Sequence, residues 1–309
     1  MHVKEFCNKL ICKFRENWLW PMGYVLRNYL SPFLDDSTYI KLDYFTGLHR
    51  FPNLKNPQTY NEKLQWLKLN NQHDEYSKYV DKYEAKEWAK SVLGEKMIIP
   101  SLGIWDSPDE IPFDSLPDQF VLKVTHDSGG VIVCKDKKTL DIDKVKKQLR
   151  QLMAHDYFFE HREYPYKNLK PRILAEKYMV DESGTELKDY KFFCFNGQCK
   201  MLFVATDRNI GDTRFDFFDE NFHHLPFRQG HPWARKPISE PKGFAQMKEV
   251  AEKLSKGFPH VRVDLYDING DIYFGEMTFF HFSGFVPFVP SKWDYTIGTW
   301  LNLPAAKNQ

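Results

Sequence analysis

The segment that most constrains the fold lies near the C-terminus. Residues 261–266 alternate strictly between apolar and polar side chains, and residues 272–280 form a second run rich in aromatic and β-branched residues. Alternation with a period of two indicates a β-strand with one buried face. The Asn269-Gly270 dipeptide between the two runs is a strong turn signal. These residues therefore predict an antiparallel hairpin.

Four polar side chains on this hairpin are candidates for a shared site. They are Arg262, Asp264, Glu276 and Thr278. Two carboxylates and a hydroxyl beside a guanidinium suit a hard cation such as Mg²⁺, which takes oxygen ligands and is usually held by one or two carboxylates plus substrate phosphates. The chemistry requires all four to lie on one face of the hairpin.

The length of the turn decides that geometry, because a slip of one residue turns a side chain to the other face. A two-residue loop would turn Glu276 away from Asp264, whereas a three-residue loop would pair Glu276 with Arg262. Asp267 suits the first position of a type I turn, and Gly270 suits the left-handed position after it. We therefore predict a three-residue loop with a bulge at Gly270.

Composition limits the class of protein. The chain has 309 residues, 42% hydrophobic and 28% charged, which is typical of a globular protein. Its 43 basic and 42 acidic residues leave a net charge of +1, so the electrostatic footprint of a nucleic-acid binder is missing. The five cysteines include no Cys-x-x-Cys pair and follow no signal peptide, which predicts a cytoplasmic protein that does not cross a membrane.

Residues 3–20 read as an amphipathic helix. Apolar and aromatic residues recur at helical spacing, and basic residues fill the intervening positions (Lys4, Lys9, Lys13 and Arg15). One interpretation is peripheral contact with an anionic membrane, where basic and aromatic residues are favoured. The other is a helix that packs on its own domain. The sequence leaves both open.

The remaining pattern mixes helices and strands without the regular alternation of a Rossmann fold, so we predict an α+β fold. A capping box, Thr59 to Glu62, opens a helix over 61–69. Further helices are predicted over 77–93, 141–153 and 245–256, and strands over 119–125, 131–134, 172–179, 190–195 and 198–204.

At this point the order of motifs resembles the ATP-grasp ligases. The matching segments are Asp81-Lys82, Lys123 with the loop 126–130, the stretch 176–179, the stretch 188–191 and the hairpin described above. Residues 189–197 and 273–280 look most like the TupA-like branch, which is found in bacterial surface-polysaccharide gene sets. The resemblance covers about residues 45–300.

The resemblance implies roles for individual residues. Lys82, Lys123 and Lys191 would hold phosphates, with Ser128, Gly129 and Gly130 folding over them. Glu176, Lys177, Tyr178 and Met179 would form the adenine hinge, and Asp189 would contact ribose. Asp264, Glu276 and Thr278 would bind Mg²⁺, with Thr278 standing where most of these ligases have Asn. Arg262 and Lys123 would act on the transferring phosphoryl group, and Arg214 and His281 would contact substrate or phosphate.

The implied architecture is two α+β lobes that sandwich ATP, with a helical N-terminal region. The expected boundaries are 1–78 for the helical region, 79–175 for the small lobe with the phosphate-covering loop, and 176–309 for the large lobe with the metal site.

The implied activity is ATP-dependent carboxylate–amine ligation through an acyl phosphate, with Mg²⁺ and ATP as cofactors. The expected partners are a uronic-acid-containing glycan or sugar precursor and an amino acid, in the biosynthesis of a cell-surface polysaccharide. Two other readings stay open: a glycosyltransferase of polysaccharide biosynthesis, and a non-catalytic nucleotide-binding scaffold at the membrane. The fold alone does not fix the substrate.

Overall fold

The computed structural model describes residues 18–181, 187–208 and 211–305. The chain divides into two compact units. The first comprises Met1–Gln72, Phe158–Glu163 and Phe280–Gln309, and the second comprises His73–Tyr157 and Tyr164–Phe279. This division differs from the expected segments 1–78, 79–175 and 176–309, which remain a proposal about the lobes.

The described part of the first unit is mainly helical. Its helices are Trp20–Val25, Asp36–Leu48, Tyr60–Asn70, Phe158–His161 and Lys292–Trp300, with a π-helical turn at Leu26–Leu30, 3-10 turns at Ser31–Phe33 and His281–Gly284, and a short strand, β11, at Phe288–Val289. The predicted capping box is confirmed: Thr59 accepts from the backbone of Glu62, and Glu62 accepts from the backbone of Thr59. The first unit therefore contains the predicted helix in nearly the predicted position.

The helices of the second unit are Ser77–Val80, Lys82–Leu93, Ile142–Met153 and Phe244–Leu254. The prediction of one helix over 77–93 was wrong. The backbone of Asp81 is extended, with φ −63° and ψ 120°, and its carboxylate accepts from the amides of Tyr83 and Glu84. Aspartate is a strong N-cap residue, so the chain stops one helix and starts another at this position.

The strands of the second unit form two antiparallel sheets. The first has the order β1-β4-β2-β3, with β1 Ser101–Trp105, β2 Phe120–Val124, β3 Val131–Cys134 and β4 Ile173–Lys177. The second has the order β10-β9-β5-β6-β7, with β5 Asp189–Phe195, β6 Gln198–Thr206, β7 Arg214–Asp219, β9 His260–Ile268 and β10 Asp271–Thr278. A two-residue strand, β8, lies at Arg228–Gln229.

One face of the four-stranded sheet is apolar, and the other carries the charged side chains of Lys123 and Glu176. Leu122, Val124 and Ala175 on one face join a buried core with Leu149 of the helix behind the sheet. Because side chains alternate along a strand, Lys123 and its neighbours on β4 lie on the opposite face. The core thus fixes which side chains the sheet presents on its polar side.

The hairpin of β9 and β10 corrects the predicted turn. Ile268 pairs with Asp271, so the loop contains only Asn269 and Gly270, both with positive φ (59° and 96°). The predicted three-residue loop and the bulge at Gly270 are wrong. The ladder shifts register later, between Phe274 and Glu276. A two-residue loop of Asn-Gly matches the twist of the flanking strands, which explains why it forms here.

Among the described residues, no helix combines the length and the apolar character needed to span a membrane.

Candidate functional site

Glu176 lies at the centre of the polar face of the four-stranded sheet, between two lysines. Its Oε1 accepts from the Nζ of Lys86 at 2.7 Å, and its Oε2 lies 2.5 Å from the Nζ of Lys123. Lys86 also donates to the carbonyl of Ile99 at 2.6 Å. Glu176 and Lys86 are buried, while Lys123 is partly exposed. The carboxylate therefore holds the Lys123 ammonium in place at the surface of the sheet.

Charge pairing dominates the electrostatics of Glu176. Burial acts to raise its pKa, but Lys123 and Lys86 outweigh burial and lower it to about 2. Burial lowers the pKa of Lys86, and Glu176 opposes that shift. A buried pair of this kind is ionised and costly to break by removing one partner.

Lys86 was not predicted, and the side chain of Glu176 has a contact that the resemblance did not imply. The resemblance places the backbone of Glu176 in an adenine hinge, and the structure shows in addition that its carboxylate holds Lys123. A signal for Lys86 was present in the sequence. Lys86 follows Lys82 by one helical turn and stands between two alanines, Ala85 and Ala89, that both become buried.

The loop after β2 is tied down by Lys82. The Lys82 amide donates to the carbonyl of Thr125 at 3.0 Å, and its Nζ donates to the carbonyl of Val124 at 3.0 Å and to that of Asp127. Burial lowers the pKa of Lys82, and Glu276 acts in the opposite direction. Lys82 thus braces the foot of the loop and lies within the electrostatic reach of the second sheet.

The loop itself has the conformation of a tight glycine turn. Ser128 is exposed, and Gly129 and Gly130 have φ of 112° and 57°. A Cβ on Gly129 would meet nothing within 4 Å, whereas one on Gly130 would lie 2.5 Å from a methyl group of Val124. Ser128 and Gly129 are therefore on the exposed side of the loop, and a turn of this kind can form a backbone nest for an anion.

On the five-stranded sheet, Arg262 joins the predicted polar cluster. Its Nε donates to Oδ1 of Asp264 at 2.7 Å, and its Nη2 donates to Oδ2 at 2.8 Å. The same Nη2 reaches Oε1 of Glu276 at 3.2 Å and the hydroxyl of Thr278 at 2.9 Å. The structure therefore brings all four predicted side chains together on one face.

Lys191 completes this cluster from the neighbouring strand β5. It pairs directly across the ladder with Asp264, and its Nζ forms an ion pair with that carboxylate. Its Nζ also lies 3.7 Å from Asp189 and 4.0 Å from Glu276. Asp189 is buried and forms a second ion pair with Arg208. Arg208 was not predicted as a site residue, since nothing in its sequence context marks it.

The two carboxylates differ in their surroundings. Burial acts to raise the pKa of Asp264, but Arg262 and Lys191 hold it well below its usual range. The side chain of Glu276 is 44% exposed. Asp264 is thus a fixed anion at the base of the site, and Glu276 is the carboxylate that faces open space.

The donor set fits a magnesium ion held together with phosphate. Asp264, Glu276 and Thr278 offer carboxylate and hydroxyl oxygens on one face, which are the ligands that Mg²⁺ prefers. Within residues 18–181, 187–208 and 211–305, no group of three or more His, Cys, Asp or Glu side chains is placed to hold a metal. Mg²⁺ is usually held by one or two carboxylates together with substrate phosphates, so a bound phosphate would supply further oxygens.

The predicted hinge follows Glu176 directly. Lys177 is exposed and its amide donates to the carbonyl of Pro100 at 3.0 Å, while Tyr178 and Met179 are partly buried. Tyr266, which was not predicted, lies on the same face as Asp264. Burial raises its pKa, and so do both Glu276 and Glu176.

Arg214 does not join the cluster formed around Arg262, Asp264 and Lys191. It lies on the edge strand β7 opposite Thr206, whereas Lys191 lies opposite Phe203 on the same strand β6. Positions 203 and 206 face opposite sides of the sheet, and Arg214 binds Asp212 at 2.9 Å instead. The suggested contact of Arg214 with substrate or phosphate therefore has no support in this geometry.

His281 belongs to the first unit, where it is buried and begins a 3-10 turn. Ser283 in this turn has a positive φ of 51°, and its hydroxyl donates to the carboxylate of Glu163. The buried Lys68 donates to the Ser283 carbonyl at 2.8 Å. Burial lowers the pKa of Lys68 to about 8 and raises that of Glu163. The 3-10 turn that contains His281 is therefore held by the buried polar side chains of Glu163 and Lys68.

Comparison with known families gives one match in sequence. The profile of the family described as TupA-like ATPgrasp matches residues 62–302. No curated protein matches the chain.

Solved structures with a similar arrangement include D-alanine–D-alanine ligase from Bacillus anthracis complexed with ATP (15% identity, 65% of this chain and 53% of that chain, TM-score 0.40). Another is the D-alanine–D-alanine ligase of Helicobacter pylori (17% identity, 73% and 61%, TM-score 0.40). A third is phosphoribosylamine–glycine ligase from Thermotoga maritima (13% identity, 67% and 49%, TM-score 0.38). The chain spans about half to three-fifths of the length of these proteins.

Proposed function

The chain belongs to the TupA-like ATP-grasp family, and from that premise we propose that it is an ATP-dependent carboxylate–amine ligase that forms an amide bond. The observation that carries the proposal is that the second unit carries two clusters of cations and carboxylates, one on each sheet. One presents Lys123, set by Glu176, and the other presents Arg262 beside Asp264 and Glu276. A triphosphate with Mg²⁺ matches this combination of cations and carboxylates.

The proposed reaction has two steps. A substrate carboxylate oxygen attacks the γ-phosphorus of ATP, which gives an acyl phosphate and ADP. An amine nitrogen then attacks the acyl carbon, inorganic phosphate leaves with the carboxylate oxygen, and the ammonium loses a proton as the amide forms. No nucleophilic side chain is required, so the protein contributes positioning and charge stabilisation.

The residues of the chain have distinct tasks in this scheme. Lys123 and Lys191 would hold phosphate oxygens, and Lys82, expected from the resemblance to hold phosphate as well, would brace the loop in which Ser128, Gly129 and Gly130 cover them. Asp264 and Glu276, with Thr278, would hold Mg²⁺, which would supply neutralisation of the phosphate charge. Arg262 faces the charge that develops on the transferring group.

The nucleotide base has a proposed place at the hinge. Glu176, Lys177, Tyr178 and Met179 would present their backbone to adenine, and Asp189 would contact ribose. Tyr266 supports this proposal, because it lies on the same face of β9 as Asp264 and offers an aromatic ring that can pack against a purine. The proposal keeps residues 79–175 and 176–309 as the lobes on either side of the nucleotide.

We place the activity in the biosynthesis or modification of a bacterial cell-surface polysaccharide. The carboxylate would belong to a uronic-acid-containing glycan or sugar precursor, and the amine to an amino acid. The protein would work in the cytoplasm, with peripheral contact at the inner face of the cell membrane through residues 3–20. Residues 3–17 lie outside the described part of the chain.

A screen for phosphate release tests the proposal. The purified protein is incubated with Mg-ATP and sets of carboxylates and amines, and phosphate is measured with Asp264→Asn as the inactive variant. Asp219→Asn is the matched control, because Asp219 lies at the end of the edge strand β7. Phosphate release that needs both a carboxylate and an amine, and that Asp264→Asn abolishes, is the expected result.

The same screen separates the two other readings. Release of a nucleoside diphosphate from a nucleotide sugar, with no use of ATP, would identify a glycosyltransferase instead. Binding of Mg-ATP without turnover across the whole screen would identify a scaffold.

A further inference from the structure

The first described segment of the chain, residues 18–33, is apolar on two sides. Leu19, Gly23 and Leu26 face inward and are buried, and Leu26 packs against Tyr39 and Ile40. These contacts account for one side of the helical segment. A helix that is apolar all round is normally covered on every side.

In the described part of the chain, the outward side is left exposed. Trp18, Met22, Val25 and Tyr29 follow one another at spacings of four, three and four residues, which places them in one stripe. Trp18 and Tyr29 are 62% and 61% exposed, Met22 and Val25 are 42% and 45% exposed, and Phe33 just beyond them is 83% exposed. We call Trp18, Met22, Val25, Tyr29 and Phe33 the outer stripe.

Single exposed apolar residues need no explanation, but a continuous exposed patch marks an interaction surface. The surroundings of the outer stripe indicate what covers it. Residues 18–34 contain one charged side chain, Arg27, and no acidic one, and the preceding residues 3–17 contain four basic side chains against two acidic ones. Tryptophan and tyrosine are the residues favoured at a lipid–water boundary.

We propose that the outer stripe is a docking surface for an anionic lipid bilayer, with its aromatic and aliphatic side chains in the headgroup and upper acyl region. The proposal extends the peripheral contact of residues 3–20 given above to a defined surface, and it rests on that contact. Arg27 is held by Asp43 at 2.6 Å, so the outer stripe supplies apolar area and the basic residues of 3–17 supply attraction to anionic headgroups.

Vesicle flotation with the full chain tests this. Phosphatidylcholine vesicles are compared with vesicles that also contain phosphatidylglycerol, using wild type, a triple variant Met22→Ser/Tyr29→Ser/Phe33→Ser, and Lys4→Gln/Lys9→Gln/Lys13→Gln. The matched control is Tyr295→Ser, since Tyr295 is 55% exposed on another helix of the same unit. All are first checked for an unchanged thermal unfolding midpoint, because each altered side chain of the outer stripe is exposed.

The expected result is binding of wild type and Tyr295→Ser to the phosphatidylglycerol vesicles, with a loss of about tenfold or more in the triple variant and in the lysine variant. Equal binding of the triple variant and wild type would overturn the proposal, and so would equal binding to both kinds of vesicle. A wild type that is dimeric, does not bind vesicles and becomes monomeric in the triple variant would show that a second copy covers the outer stripe instead.

Stabilisation by Mg-ATP, measured on the same samples without vesicles, separates this proposal from the proposed function. If a variant loses vesicle binding but keeps its stabilisation by Mg-ATP, the result bears on the outer stripe and not on the nucleotide site. If Mg-ATP does not stabilise wild type, the result bears on the nucleotide site and not on the outer stripe.

Discussion

Glu276 lies directly opposite Asp264 in the ladder between β9 and β10, although a two-residue turn joins these strands. By parity, such a turn places Glu276 opposite Val263, on the wrong face. The extra residue is Gly275, at the register shift between Phe274 and Glu276. This bulge therefore restores the shared face that binds the cation in the proposed mechanism.

We predict that Gly275→Ala weakens the use of Mg²⁺. A Cβ at this position would lie 2.9 Å from the Asp264 carbonyl oxygen and 3.1 Å from the Tyr266 ring, so the strand must shift. The Mg²⁺ concentration for half-maximal activity should rise about tenfold. The matched control is Gly270→Ala in the same hairpin, where no atom lies within 4 Å. It should lose stability because its φ is +96° but keep its Mg²⁺ dependence. An unchanged Mg²⁺ dependence in Gly275→Ala would show that the bulge does not position Glu276.

Lys123 and Arg262 should give different kinetic phenotypes. Lys123→Ala removes a partly exposed ammonium that is proposed to contact phosphate in the ground state, so the Kd for Mg-ATP should rise about tenfold or more. Arg262→Ala removes a group that is proposed to act on developing charge, so kcat should fall about 100-fold or more with a smaller change in Kd. Calorimetric titration with Mg-ATP and steady-state rates measure the two effects. Equal losses of ATP affinity in both variants would contradict these roles.

The sequence was sufficient to predict which side chains form the cluster, but not the register of the β9–β10 hairpin that brings them together. Alternation placed Arg262 and Asp264 on one face, and the structure confirms their contact with Glu276. The turn was predicted wrongly because Asp267 and Gly270 suit a three-residue loop locally, whereas the structure has the twist-matched Asn-Gly loop and moves the extra residue to Gly275.

Other features depended on contacts that no single sequence pattern reveals. Lys86 became part of the site because burial forces its ammonium onto Glu176, more than 80 residues away along the chain. Asp81 breaks a predicted helix because its cap outweighs helical propensity on either side. Arg214 was expected to contact substrate or phosphate, but its side chain lies on the face of the sheet opposite to that of Lys191.

Glu176 should make stability depend on pH. Its pKa falls from an ordinary 4.5 to about 2 on folding, so its stabilisation is fully present above pH 4.5 and is lost as the pH falls towards 2. A shift of this size corresponds to about 3 kcal/mol at neutral pH. Glu176→Gln should therefore lower the free energy of unfolding at pH 7, and its deficit relative to wild type should narrow below pH 4.5.

Urea unfolding of both proteins from pH 7 to pH 3 measures this deficit. Glu95→Gln is the control, because the Glu95–Lys90 pair lies at the surface and surface pairs contribute little. A deficit that stays constant over the whole range would show that the charge of Glu176 does not stabilise the fold.

Nucleotide choice gives a further prediction. Three lysines around the loop and β5 match the charge of a triphosphate, so Mg-ATP should raise the thermal unfolding midpoint more than any nucleoside diphosphate sugar at equal concentration. Lys82→Ala should reduce this stabilisation, because Lys82 braces the loop that covers the phosphates. Lys90→Ala, on the exposed side of the same helix, is the control and should leave it unchanged. Stronger stabilisation by a uridine or guanosine diphosphate sugar would refute the choice of ATP.

The central claim is that the substrate carboxylate is activated by phosphoryl transfer, and an isotope experiment tests it most directly. Once the phosphate-release screen has identified an acceptor, that acid is prepared with ¹⁸O in its carboxylate and incubated with Mg-ATP and the amine. The account predicts one ¹⁸O atom in each inorganic phosphate released per amide formed, because phosphate leaves with a carboxylate oxygen. Amide formation with ¹⁸O in AMP, or with no label in phosphate, would contradict it.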